Sequence, residues 1–419
     1  MHSMRTRLVV LAGIVTAIAI GPAVGAAGGQ PAYLVVRHAT LLAGTTPSPG
    51  ADRAIVAHGG VIQWVGPDAE AVAPPTAVEL DAGGRVVIPG LIDLHQHAAS
   101  VSPSPAAWLA HGVTTVRDPD AELDGARRTQ RLIDGGLLEG PRLFIGLELS
   151  LVTDQMRSAV RRLIAAAADD GLDLVQLDAA TPPAQAQLAI QEAHARGLRV
   201  TWHLGLALGR ALDLEVDGVE HLDIFRGLVP PPIEPASAES PMRGFRRWAE
   251  LDTSSDRTQD LLRRLAASRT VWTPTLVQAH RIAGGELAGS RSLSDRAAAM
   301  RGLDAACRTI ALAARLGVLV GAGTSTDRPG DLHEELALLV RCGLTATEAL
   351  RSATTTAATA LGRESTLGAI AAEQFADLVL LDADPSEDIR ATARVWRVVK
   401  DGRVHDPARL APAEPGAIR

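Results

Sequence analysis

Two histidines spaced i, i+2, His95 and His97, end the apolar run Val86–His97, which reads Val-Val-Ile-Pro-Gly-Leu-Ile-Asp-Leu-His-Gln-His. Side chains along a strand repeat every second residue, so the pair points to one side. Two imidazoles converging from one strand end are what a divalent cation takes from a single element, and neutral imidazole is its commonest nitrogen ligand. A lone His-x-His is a weak signal. This one closes a β-branched apolar strand instead of lying in a polar loop, which strengthens it. Like placements recur: His203 ends Arg199-Val200-Thr201-Trp202-His203, and His221 ends Gly218-Val219-Glu220-His221. Four of the 12 histidines thus close three strand candidates. His38, His58, His194, His280 and His405 have no such placement and read as surface or structural residues.

The elements that must carry these histidines alternate. Strand candidates are Leu91–His97, Val113–Arg117, Leu143–Leu147, Asp173–Leu177, Leu198–His203, Gly218–His221, Val271–Leu276 and Val318–Gly323. Helical stretches such as Met156–Ala168, Pro183–Arg196, Ser292–Ala314 and Thr345–Leu361 intervene. This alternation predicts an α/β chain built on a (β/α)8 TIM barrel, whose functional groups gather at strand C-termini. A doubly wound open sheet is the alternative, but no Gly-x-Gly-x-x-Gly turn follows the first strand.

Short strands punctuated by Gly59-Gly60, Pro67-Asp68 and Gly83-Gly84 fill Tyr33–Val87, and Ala376–Leu381 with Val395–Val404 has the same texture around an Asp401-Gly402 hairpin turn. Neither flank has apolar strand enough for its own core. They are expected to pair into one small composite β-sandwich built from both chain ends. The expected division is a signal peptide at 1–26, β-sandwich segments at 32–88 and 363–408, and the barrel at 89–362.

The 419 residues are 47% hydrophobic with a net charge of −7, and no basic block tracks phosphates, which argues against nucleic acid as a partner. Arg5 and Arg7 precede the apolar run Leu8–Ile20 and small residues near Gly25–Ala27, the pattern of a cleaved secretory signal. The run is shorter than the ~20 residues of a membrane span. The expectation is an exported protein, periplasmic or extracellular, with no membrane attachment after cleavage. Cys307 and Cys342 allow at most one disulfide; Cys307, in an Ala-rich helical stretch, reads as a small buried residue.

With these residues in hand, the chain resembles the amidohydrolase superfamily, especially exported members similar to imidazolonepropionase and Xaa-Pro dipeptidases. The resemblance covers essentially the whole mature chain. It rests on Pro89–His97, His111-Gly112-Val113-Thr114-Thr115-Val116-Arg117-Asp118, Gly140-Pro141-Arg142, His203, Gly218–His221, Trp272-Thr273-Pro274-Thr275, Gly343-Leu344-Thr345 and Ala376-Asp377-Leu378-Val379. It implies that His95, His97, His203 and His221 bind a divalent metal, zinc above others, and that metal-activated water attacks a carbon–nitrogen bond. It also implies a bridging lysine on the fourth strand and an aspartate base on the eighth.

The chain departs from that pattern twice. Gln176 stands where the bridging lysine is expected, and an amide forms no carbamate, which points to one ion rather than two. Asp178 shares the face of Gln176, and Glu148 ends the third strand; either carboxylate could substitute, although turn and solvent roles suit them too. On the eighth strand, Gly323-Thr324 places Ser325 at the base position, while Asp327 lies two residues on and serves as the base only if the strand extends or bulges that far. His333, just after this strand, fits either a substrate-facing or a helix-start role, and His111 a structural one.

The leading reading is a metal-dependent hydrolase acting on a small molecule through a non-peptide amide, cyclic amide or dipeptide-like bond, with Asp327 as displaced base. The rival is a catalytically impaired barrel of the same fold that binds metal or a small molecule, favoured by Gln176 and Ser325. A deaminase fits less well, because Leu204-Gly205-Leu206 follows His203 where a glutamate is usual. Family members often form homo-oligomers, and substrate choice belongs to loops such as Gly227–Arg257.

Overall fold

The computed structural model describes residues 32–42, 44–97, 102, 104–150, 157–203, 208–224, 241–284 and 293–410. The expected signal peptide lies outside the described residues, as do Leu204-Gly205-Leu206 and much of the 227–257 insertion.

The barrel is a ring of short parallel strands: β6 (Leu91–Asp93), β7 (Val113–Asp118), β8 (Arg142–Leu149), β9 (Leu174–Leu177), β10 (Arg199–Trp202), β11 (Gly218–Glu220) and β12 (Val271–Thr273), each paired with its sequence neighbour. The expected eighth strand is not a regular one. It makes a parallel bridge at Val320 to Trp272. Gly321 N–H donates to Trp272 O, Leu94 N–H to Ala322 O, and Ser325 N–H to His95 O. Residues 319–325 therefore join β12 to the chain just past β6, and the sheet closes as a TIM-like barrel. Its strands are buried on both faces, as parallel strands covered by helices must be.

Gly323 permits this seam. A Cβ there would come within 2.9 Å of the His95 backbone nitrogen and 2.6 Å of Thr273. The helix expected over Thr345–Leu361 is instead two, Ala346–Ser352 and Thr355–Ala360, broken at Thr354 (φ −132°, ψ −98°). The break turns the Ser352 and Ala353 carbonyls to the barrel, where they accept from the Ala322 and Ile92 N–H groups. Tertiary hydrogen bonds here outweigh local helix propensity.

The remaining strands are β1 (Tyr33–Leu41), β2 (Gly50–His58), β3 (Val61–Pro67), β4 (Val78–Asp81), β5 (Val86–Pro89), β13 (Leu378–Leu381), β14 (Val395–Lys400) and β15 (Arg403–His405). They form one eight-stranded sheet in the order β15-β14-β13-β5-β1-β2-β3, with β4 on β1. β13 pairs antiparallel with β5, Leu378 opposite Pro89 and Leu381 opposite Val86, so the two ends of the chain share one sheet. They share a core as well: Leu34, Val36 and Ile55 pack with Ile370, Leu378, Leu380 and Val399. The Asp401-Gly402 turn has positive φ at both residues, as a two-residue hairpin loop requires.

Cys307 corrects its expectation as a lone buried residue. It is bonded to Cys342, joining the helix Leu293–Arg315 to the end of Asp331–Arg341. These helices flank the seam in sequence, and packing brings together cysteines 35 residues apart.

Candidate metal centre

The four strand-end histidines converge. Ligand nitrogens of His95, His203 and His221 lie within 4.8 Å of one another, and His97 Nε2 is 3.2 Å from His95 Nε2. Strand β6 itself stops at Asp93, short of the expected His97. The backbone beyond it stays tethered, because Leu94 N–H donates to Ala322 O and Gln96 N–H to Arg117 O. This keeps His95 and His97 on one side. His203 extends the β10 ladder by its N–H bond to Leu177 O. His221 begins a 3-10 turn in the left-handed region (φ 53°), held by Trp272 Nε1 on its carbonyl and by Thr275 Oγ1 at 2.7 Å from its Nδ1.

Behind the histidines lies a buried polar set that sequence reasoning missed. His95 Nδ1 is 2.8 Å from Glu220 Oε2, and Arg117 donates to Glu220 Oε1 at 2.6 Å. Arg117 also donates through Nε to the Leu94 carbonyl. Asp93 accepts from His95 N–H, Thr324 N–H and Thr324 Oγ1. Burial pushes its carboxyl up to about 6, against those three donors. Signals for this set were present: Glu220 precedes His221, Arg117 ends the second strand, and Asp93 precedes His95 by two. Each alone reads as an ordinary polar residue, and only the closed ring stacks them under His95.

This donor set fits a divalent cation. The Glu220 carboxylate is an acceptor, so His95 Nδ1 carries the proton and Nε2 presents its lone pair toward the other imidazoles. Burial holds the His95 imidazole well below its usual pKa, with His97 and Arg117 adding to the effect, which keeps it in the neutral, ligating form. Burial lowers His97 as well. Gln176 is fully buried, and its Oε1 has no hydrogen-bond partner among the described residues, a situation that costs roughly 1–3 kcal/mol unless another group satisfies it.

The other candidates separate. Gln176 Nε2 donates to Glu148 Oε2 at 2.8 Å, and that same oxygen is 3.9 Å from His203 Nε2, so Gln176 positions a carboxylate beside the histidines. Asp178 caps its own turn, accepting from Ala180 N–H at 2.7 Å. Ser325 sits at the seam in the left-handed region (φ 51°), its Oγ accepting from Gln278 Nε2. That turn ends the extended backbone, and Asp327 follows as an exposed residue that does not join the mutual cluster of donor atoms. His333 is buried away from the cluster, with Nδ1 3.1 Å from Thr392 Oγ1 and its ring 5.8 Å from His111.

Comparison with known proteins gives the family of the chain. The profile of the amidohydrolase family matches residues 86–405, and the chain belongs to that family of hydrolases. It is similar to imidazolonepropionase of Deinococcus radiodurans, 42% identical over 86 residues that make up 20% of this chain and 18% of that protein. Over greater length it is similar to imidazolonepropionase of Streptomyces avermitilis, 27% identical across 83% of this chain and 86% of that one. The chain thus spans under a fifth of the length of the Deinococcus radiodurans relative. The fold also matches that of a Xaa-Pro dipeptidase with bound methionine, at a TM-score of 0.70 and 20% identity, covering 89% of this chain and all of the other.

Proposed function

We propose that the chain is a metal-dependent hydrolase of carbon–nitrogen bonds in a small amide, cyclic amide or dipeptide-like substrate. The observation that carries this reading is the convergence of His95, His97, His203 and His221 at one end of a closed barrel. They would hold one divalent ion, zinc by the all-imidazole chemistry of the donors. When bound, such an ion polarises a substrate carbonyl and acidifies water. The protein's own part is to orient His95 through Glu220, to fix the ring of His221 through Thr275, and to hold a carboxylate at the mouth for proton transfer. Of the candidate bases Glu148 and Asp327, we assign that last task to Glu148, which is steadied by Gln176 and lies 3.9 Å from His203 Nε2. We read the eight-stranded sheet as the composite β-sandwich of segments 32–88 and 363–408, around a barrel at 89–362. Residues 1–26 we read as an export signal, and the substrate as the principal partner, with self-assembly into oligomers in keeping with the family.

The test is metal analysis of purified protein together with assays on N-acyl amino acids, cyclic amides and dipeptides. Bound zinc with turnover, both lost in His203→Asn, is the expected result. Glu148→Gln should lower kcat by about 10²-fold or more with metal retained, and Asp327→Asn should leave it nearly unchanged. The reverse order would return the base to Asp327. The second reading, a barrel that binds metal without turnover, is favoured by Ser325 at the base position. Zinc without activity on any of these compounds would support it.

A further inference from the structure

We propose a second divalent-cation site on the eight-stranded sheet, formed by Nε2 of His38 with the carboxylates of Asp52 and Asp68, for a borderline transition metal ion such as zinc. One ligand atom from each of these residues lies within 4.8 Å of the others. They belong to separate elements: His38 to β1, Asp52 to β2, and Asp68 to the turn Asp68–Glu70 after β3. The pairing of β1 with β2 slips twice, between Val36 and Ala39 and between Ala39 and Leu41; His38 (φ 50°) lies at the first slip and Asp52 (φ 51°) at the second, both in left-handed backbone conformations. Such bulges re-aim side chains out of the regular alternation.

The imidazole is already oriented as metal-bound histidines are. Its Nδ1 lies 3.0 Å from Asp81 Oδ1 at the end of β4, and Asp81 is itself held by the Gly83 N–H at 2.8 Å. A carboxylate partner there makes Nδ1 the donor and leaves the Nε2 lone pair facing outward. Asp68 Oδ2 is 3.7 Å from that Nε2, while Asp68 Oδ1 accepts the His38 backbone N–H at 3.0 Å. Arg37 contacts the same Oδ2 at 3.2 Å and steadies the carboxylate. Around this point the carboxylates of Asp52, Asp68, Asp81 and Glu79 outnumber the guanidinium groups of Arg37 and, beside Asp81, Arg85, so the local field attracts a cation. The His38 side chain is 51% exposed, which leaves room for water to complete the coordination. One imidazole with carboxylates suits zinc, cobalt or nickel better than calcium or magnesium, which take oxygen alone.

The test uses full-length protein freed of metal by chelation, with the barrel histidines disabled by His95→Asn and His203→Asn. Titration with zinc chloride by calorimetry should still show one equivalent bound. Adding His38→Gln, or separately Asp52→Asn, should weaken it by about tenfold or more, with no change in metal-free Tm. Cobalt should give visible absorption that the same two changes remove. Should the barrel-disabled protein unfold, the wild type and His38→Gln compared directly should differ by one zinc. No zinc on the barrel-disabled protein, or zinc that neither His38→Gln nor Asp52→Asn disturbs, would overturn the site. Loss of the barrel equivalent alone bears on the proposed hydrolase and leaves this site standing.

Discussion

His95 and Glu220 form a fully buried pair, Nδ1 to Oε2 at 2.8 Å, across the barrel from β6 to β11. A residue on one strand thereby sets the tautomer of an imidazole at the end of another. Arg117 occupies the other oxygen of Glu220 and completes the arrangement.

Replacing Glu220 by Gln should lower zinc affinity by about 10–100-fold, because the partner of a ligating imidazole sets its basicity and orientation. Calorimetric titration of variant and wild type, with circular dichroism to confirm folding, measures this. An affinity unchanged within threefold or so would show that the pair has no such role.

Gly323→Ala should cost about 1–3 kcal/mol and reduce metal binding together with stability. Its Cβ would press on the backbone nitrogen of His95 and on Thr273, neither of which can move without opening the seam. Gly317→Ala makes a useful contrast: it too removes a glycine, with open space at its Cβ but a backbone φ of 84°. It should destabilise through strain and leave zinc affinity alone.

Two buried groups make stability depend on pH in opposite directions. Burial drops His333 to about 4, so between pH 6.5 and 4 the unfolded chain binds more protons, and stability is lost as pH falls through that window. Burial lifts Glu335 to about 8, although it accepts the Leu276 and Val277 N–H groups, so stability is lost as pH rises from about 4.5 through 8. Plots of Tm against pH should therefore fall on both sides. His333→Asn should flatten the acid limb and Glu335→Gln the alkaline limb; unchanged limbs would refute these assignments.

Reducing the Cys307–Cys342 bond should lower stability by about 3–4 kcal/mol on the chain-entropy estimate for a 35-residue separation. Thermal unfolding with and without dithiothreitol reads this, and Cys307→Ser should reproduce the reduced value. Zinc affinity should be unaffected, since neither cysteine belongs to the histidine cluster.

Much of the barrel was legible in the sequence because it rests on local pattern. Seven of the strands from β6 to β12 fall on apolar runs, and their closing histidines follow from a period of two. Strand ends were less legible: β6 stops at Asp93 and β11 at Glu220, where regular pairing with the neighbouring strand ends. The break at Thr354 and the irregular eighth strand had no local signal, because carbonyls of Ser352 and Ala353 serve partners 30 and more than 200 residues away. The same holds for the site. Sequence alone determined which imidazoles close strands and that an amide, Gln176, stands on the fourth strand. Only the tertiary structure decided that Glu220 orients His95, that Gln176 turns Glu148 toward His203, and that Asp327 falls outside the cluster. The physical reason is that side-chain periodicity is a property of one strand, whereas a hydrogen-bond partner across a closed ring is set by how all the strands meet.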